Sequence, residues 1–164
     1  MSIFPTKVLL ATDGSEVADL AARTAADLAD KTGSELHVVH VFGITPWYPA
    51  YPESGGFGGV ELEDPVLEED LQRTSEQRAR ELLDAEVEKL RSVGGTPAQA
   101  HLAEGGAPQE IVRLAEEIGD GLIVMGSRGR GGIRRALMGS VSESVVRHAH
   151  CPVMVVRQEK EQAV

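Results

Sequence analysis

Two kinds of apolar spacing alternate along the chain. Short continuous runs suit central parallel strands buried on both faces, and between them lie segments whose apolar residues recur every three or four positions, as in helices. Lys7 to Thr12 carries Val8-Leu9-Leu10-Ala11 and predicts the first strand. Asp13-Gly14-Ser15 then turns the chain, with Ser15 placed as an N-cap. Val17, Leu20, Ala21, Ala25 and Leu28 mark one face of a helix that Gly33 stops. Leu36 to Phe42 predicts the second strand and completes a βαβ unit with a right-handed crossover. Asp64 to Val93 predicts a long acidic helix. Leu67, Leu71, Leu82, Leu83, Val87 and Leu90 supply its partial apolar face, and its many charges read as a solvated side. Gly94-Gly95 ends it. Ala98 to Leu102 alternates apolar residues with Gln99 and His101, as an edge strand exposed on one face does. A helix follows, with Pro108 in its first turn and Ile111, Leu114, Ala115 and Ile118 on its buried face, closed by Gly119. Leu122 to Met125 is the fourth strand and Val153 to Val156 the fifth. The helix between them runs from Val141 to His148, with Val141, Val145 and Ala149 on one face.

Five short strands alternating with four helices predict an α/β fold, a doubly wound parallel sheet with helices on both faces. Periodicity alone leaves open whether the spatial order is 3-2-1-4-5 or 2-1-3-4-5. One domain is expected over residues 1–164, with an inserted loop at 43–63 and a frayed polar tail at 158–164. The inserted loop has no period and carries Trp47, Tyr48 and Tyr51. Loops beyond about 12–15 residues are usually functional or disordered. It leaves the carboxyl end of a strand, where open α/β sheets bind ligands, so it reads either as a lid or partner-binding flap or as a surface loop. The fifth strand is an edge in either order, yet it is apolar throughout. A hydrophobic edge invites pairing with another chain; a homodimer through Val153–Val156 is expected, unless the tail covers the edge.

Composition narrows the function. A formal net charge of −10 argues against a nucleic-acid partner, which needs a basic surface, and an aromatic content of 4% argues against a base-stacking platform. The single cysteine, Cys151, excludes an internal disulfide and a CxxC pair. No apolar run reaches membrane-spanning length and the N-terminus has no signal-peptide core, so a cytoplasmic protein without a membrane partner is expected. His148, His150 and Cys151 lie close together without the spacing of a closed metal site. His37 and His40 cannot share one face of a strand.

Against this acidic background, Leu122 to Ser142 stands out. An apolar run ends at Gly126 and gives way to a loop rich in glycine and arginine, with Arg128, Arg130, Arg134 and Arg135; order resumes at Gly139-Ser140. A strand, a glycine-rich loop and a helix N-terminus in that order hold phosphate, because unpaired N–H groups at the helix start point at the anion. Ser140 and Glu143 read as a capping box. A Walker lysine is absent from the segment, and the dinucleotide fingerprint Gly-x-Gly-x-x-Gly is missing from the first strand-to-helix turn. Gly126, Gly129 and Gly139-Ser140 instead give Gly-x2-Gly-x9-Gly-Ser.

That spacing resembles the ATP-binding motif of the universal stress protein family. The likeness extends to Lys-Val-Leu-Leu-Ala-Thr-Asp-Gly-Ser at the start and His-Ala-His-Cys-Pro-Val-Met-Val-Val-Arg at the end. The resemblance implies strand order 3-2-1-4-5, a dimer through the last strand and an adenine nucleotide, ATP with or without magnesium, as ligand. It places Asp13, with Gly14 and Ser15 of the same turn, at the nucleotide; a carboxylate belongs at the ribose, since phosphate would repel it. The alternative for Asp13 is an Asx-type turn residue. Ala11, Val41 and Met125, at the ends of their strands, flank adenine or are plain core. Gly126, Ser127, Arg128, Gly129 and Arg130 are expected to wrap the ribose and first phosphates. Gly139, Ser140, Val141 and Ser142 would hold the outer phosphates, and Glu143 must turn aside or meet an arginine. Three functions fit these parts. The first is a nucleotide-dependent stress-response module with a protein partner. The second is a slow ATPase or self-phosphorylating enzyme with Ser140 or Ser142 as acceptor, although no base is placed to activate water. The third, a flavin or nicotinamide redox protein, lacks its fingerprint.

Overall fold

The computed structural model describes residues 6–43, 65–119, 121–128 and 138–158. The inserted loop and polar tail lie outside them except for Gly43 and Gln158, as do Gly129, Arg130, Arg134 and Arg135. The elements run β1 (Lys7–Ala11), α1 (Glu16–Thr32), β2 (Glu35–Phe42), α2 (Pro65–Ser92), β3 (Pro97–Glu104), α3 (Ala107–Ile118), β4 (Leu122–Gly126), α4 (Ser140–His148) and β5 (Val153–Val156). The strands form one sheet in the order β3-β2-β1-β4-β5, with every pairing parallel. This resolves the order in favour of 3-2-1-4-5.

Alternation along the central strands builds two cores. Val8 and Leu10 of β1, with Leu122 and Val124 of β4, face α1 and α2. Leu9 and Ala11, with Ile123 and Met125, face α3 and α4. Because successive side chains point to opposite faces, a strand covered on both sides must be apolar at every position, which is what these runs are.

The buried face of α1 includes the expected Ala21 and Ala25 but is built more from alanine than expected. Ala18, Ala21, Ala22, Ala25, Ala26 and Ala29 are buried, Val17 and Leu28 are half-buried, and Leu20 is exposed. Small side chains let the helix lie close over the sheet; a β-carbon added at Gly126 would come within 2.9 Å of Val17 Cγ1. Ser15 caps this helix as expected, its hydroxyl accepting the Ala18 N–H at 3.2 Å. Gly33 ends it in the left-handed conformation (φ 65°).

The other departures are local. β3 extends beyond Leu102 because β2 and β3 stay paired out to Phe42 and Glu104, past a register shift between Leu36 and His37. Its first half does not alternate, since Ala98, Gln99 and Ala100 are all exposed. On α2, Leu71 is exposed and Leu82 half-buried, while Ala79, Leu83, Val87 and Leu90 carry the packing. Among the described side chains of α2, one charge is not solvated: Glu86 is buried with them.

Candidate functional site

β1 and β4 are neighbours, but β1 leads through α1 towards β2 and β4 leads through α4 towards β5. Their carboxyl ends therefore flank the point where the winding of the sheet reverses, the crevice in which open α/β sheets take ligands. Ala11 pairs in register with Met125, so the turn Thr12–Ser15 and the segment Gly126–Arg128 leave the sheet side by side.

The turn after β1 is tightly held. The Thr12 N–H donates to Val39 O at 3.0 Å, and His40 Nδ1 donates to Thr12 O at 2.9 Å. The Gly14 N–H donates to the Thr12 hydroxyl oxygen at 3.2 Å, and Gly14 has φ 75°, the left-handed region that glycine supplies without strain. The Ser15 N–H donates to Asp13 Oδ1 at 3.0 Å. Asp13 is thus an Asx-turn residue and, at the same time, a half-buried carboxylate at the mouth of the crevice. The two roles coexist, since a carboxylate has several acceptor positions. Ala11 and Met125 are buried in the core on the α3–α4 side, and Val41 packs half-buried against it. Their place at the carboxyl ends stands, with much of their surface already covered.

The glycine-rich segment is stapled at its ends. Ser127 O accepts the Gly139 N–H at 2.7 Å and the Ser142 hydroxyl at 3.1 Å; that hydroxyl also lies 3.0 Å from Gly139 O. The Ser127 N–H donates to Val156 O at 2.8 Å. Two of the amides expected at a ligand, those of Ser127 and Gly139, are therefore engaged within the protein. The amides of Ser140, Val141 and Ser142 form the first turn of α4 and have no carbonyl within the helix to bond. The staple presents them at the end of β4.

Two expectations for this segment, the Ser140 cap and the capping box, are corrected. Gly139, not Ser140, is the N-cap of α4, and no side chain caps it. The capping box fails because Ser140 is already helical and Glu143 turns along the helix to Arg147, at 2.9 Å. That ion pair draws the carboxylate's charge away from the helix start. Neither Gly126 nor Gly139 is in the left-handed region. Gly126 is needed for close approach to α1, where an added β-carbon would meet Val17 at 2.9 Å, whereas at Gly139 an added β-carbon would sit 3.3 Å from Ser127 O, a tight contact.

Two polar groups behind the turn carried no functional signal in the sequence reading, Thr12 and Glu86. The Thr12 hydroxyl donates to Glu86 Oε2 at 3.0 Å, and Lys89 Nζ donates to Glu86 Oε1 at 2.8 Å. This pairing raises the pKa of the Lys89 ammonium, against a smaller lowering by burial. The available signal was periodic, since residues 79, 83, 86, 87 and 90 form one helical stripe and Glu86 is its single charge.

Elsewhere, His37 Nδ1 and His101 Nε2 lie 3.0 Å apart, with Glu35 Oε1 3.2 Å from His37 Nε2. Burial, then the neighbouring His37, lowers the pKa of His101, opposed by Glu117. His148 Nδ1 donates to Ser144 O at 2.8 Å, and His150 faces Glu116 at 3.6 Å. Among the described residues, no group of three or more His, Cys, Asp and Glu side chains is arranged to hold a metal ion. No helix among them is long and apolar enough to cross a membrane.

Comparison with known proteins gives the following. A family model described as the universal stress protein family matches residues 5–157. A universal stress protein of Methanocaldococcus jannaschii is 33% identical over 156 residues, covering 95% of this chain and 84% of its own. Universal stress protein UspA from Lactobacillus plantarum has a similar fold, with a TM-score of 0.73 at 24% identity over 95% of this chain and 100% of that one. The universal stress protein from Archaeoglobus fulgidus solved in complex with dAMP has a TM-score of 0.57 at 26% identity, covering 94% and 99%.

Proposed function

The chain belongs to the universal stress protein family, and on that premise we propose that it binds an adenine nucleotide, ATP with or without magnesium, between the ends of β1 and β4. In this reading it is a cytoplasmic regulatory module whose nucleotide state is read by a protein partner. It forms a homodimer through β5, and the chain from 1 to 164 acts as one domain. The observation that carries the reading is the staple at Ser127 O. It brings the strand end and the start of α4 together, so that the first-turn amides of Ser140, Val141 and Ser142, which have no carbonyl within the helix to bond, lie at the end of β4, the strand next to the one that leads into Asp13. Support comes from the A. fulgidus relative solved with dAMP and from the complete Gly-x2-Gly-x9-Gly-Ser spacing.

Magnitudes rank the parts. A hydrogen bond from a ribose hydroxyl to a carboxylate is worth about 1.5–3 kcal/mol. The helix-start dipole adds about 0.3–1 kcal/mol at an exposed site. Asp13 is therefore the larger single anchor, with the amides of Ser140, Val141 and Ser142 and the side chain of Arg128 orienting the phosphates. Gly14 and Ser15 shape the Asp13 turn; Gly129 and Arg130 complete the loop by their place in the motif. Binding is favoured over self-phosphorylation because the Ser142 hydroxyl is buried and bonded inside the staple. Transfer to it would require the loop to open.

The test is to denature the purified protein and identify any released nucleotide by mass, then titrate ATP, AMP, cyclic AMP and NAD. Wild type is compared with Asp13→Asn and Gly129→Val. Asp13→Asn keeps the turn acceptor and loses the charge, so ATP affinity should fall about tenfold or more. Absence of released nucleotide together with no affinity for any of the four would overturn the reading.

A further inference from the structure

Glu86 sits in the core stripe of α2 at 4% exposure. Burying a carboxylate is costly unless it is paired and its remaining lone pairs are bonded. A leucine would continue the Leu83–Leu90 stripe without that cost, so packing does not account for an acid at this position. Its hydrogen bonds do. Oε1 takes the Lys89 ammonium at 2.8 Å, and Lys89 also reaches Asp19 of α1 at 3.2 Å. Oε2 takes the proton of the Thr12 hydroxyl at 3.0 Å.

A hydroxyl has one proton to give. Once it is given to Glu86, the Thr12 oxygen turns its lone pairs the other way, where the Gly14 N–H meets it at 3.2 Å. The next amide, Ser15 N–H, is taken by Asp13 Oδ1 at 3.0 Å. The backbone on the far side of Asp13 is thus fixed by a relay that begins in a helix on another part of the sheet. The relay runs Lys89, Glu86, Thr12, Gly14.

We propose that Glu86 is a positioning residue for the ribose: by orienting the Thr12 hydroxyl it sets the turn that aims the Asp13 carboxylate into the crevice. The proposal rests on the nucleotide reading given above and deepens it, making α2 part of the apparatus that selects a ribonucleotide. Glu86 touches no ligand itself. Its effect passes through Thr12 and the Gly14 amide, so removing it lowers preference for ribose hydroxyls more than it lowers stability.

The readout is the ratio of dissociation constants for 2′,3′-dideoxyATP and ATP, measured beside thermal unfolding. Glu86→Leu removes the buried charge and leaves the buried Thr12 hydroxyl without its acceptor, which costs some stability; Lys89 keeps Asp19 as a partner. The variant should still unfold cooperatively, at a somewhat lower melting temperature, while the ratio falls by roughly five- to tenfold, towards that of Asp13→Asn. Thr12→Val should lower the ratio likewise, and Thr12→Ser, which keeps the hydroxyl, should restore it. In an Asp13→Asn background Glu86→Leu should change the ratio no further, because both act on one contact. If Thr12→Val fails to fold, Glu86→Leu decides alone. A wild-type ratio in folded Glu86→Leu overturns this inference while ATP binding stands. A wild type that binds ATP without preference for its ribose hydroxyls overturns it as well. A wild type that binds no adenine nucleotide overturns the site reading itself, and this inference with it.

Discussion

Ser142 and His101 show how much a single polar group does in this fold. The Ser142 hydroxyl, 2% exposed, has its one proton between two carbonyls at the ends of the glycine-rich segment, Ser127 O at 3.1 Å and Gly139 O at 3.0 Å. Ser142→Ala would leave Ser127 O with one partner fewer, and urea unfolding should show a loss of about 1–1.5 kcal/mol. His101 sets a pH dependence. Its pKa is lowered by burial and by His37, so just below the ordinary histidine value of about 6.5 the unfolded chain binds more protons at this position than the folded one. Stability is thus expected to fall as pH drops through that window and to level off above it. Melting curves between pH 7.5 and 5.5 should show a smaller fall for His101→Gln. Asp13 and the glycine spacing were legible in the sequence because each is a local signal. The partners of Thr12 and His37 were not, since Glu86 and His101 lie 74 and 64 positions away. Strand order brings His101 beside His37, and the packing of α2 brings Glu86 behind Thr12.

At the level of elements, boundaries followed chemistry that acts within one turn. Ser15 and Gly33 set the ends of α1, and Gly119 the end of α3, because caps are decided by neighbours in sequence. The faces were harder to read. On α1 the expected stripe is right at Ala21 and Ala25 and partly at Val17 and Leu28, but it takes in the exposed Leu20 and misses Ala18, Ala22, Ala26 and Ala29. Closeness to the sheet favours alanine, and that closeness depends on Gly126 in a distant strand. Ala25 is fully buried there against β1, β4 and α2 residues. Ala25→Leu should cost about 1–3 kcal/mol by overpacking, whereas Leu20→Ala at the exposed position should change stability by less than about 0.5 kcal/mol. A larger loss at Leu20 than at Ala25 would contradict the alanine stripe. The start of α4 was misread for a related reason. The Ser140–Glu143 spacing fits a capping box, but Arg147 one turn on offers Glu143 a charged partner.

Across the whole molecule, the parallel sheet follows from the rhythm of the chain, and the position of the crevice follows from the sheet. The edge at β5 is the remaining feature, and among the described residues no strand pairs with its outer side. Pro152 O and Val156 O accept hydrogen bonds from the β4 side. Alternate residues of a strand turn their backbone groups to opposite sides, so Val153 and Val155 direct theirs outward. Val155→Pro removes an outward N–H and leaves the ladder to β4 intact. It should convert the expected dimer to a monomer in light scattering without unfolding it; a wild type that is monomeric at all concentrations would rule out pairing at this edge.

The same strand also holds the site. Val156 O fixes the Ser127 amide, and Ser127 O in turn fixes Gly139 and Ser142. In a dimer built on β5, whatever steadies the edge steadies the cradle, and the two equilibria become linked. Nucleotide should then bind more weakly as the protein is diluted, and saturating nucleotide should lower the dimer dissociation constant by the same factor, as reciprocity requires. Such a protein would register its own abundance as well as the supply of its ligand, and would respond fully only when both are high.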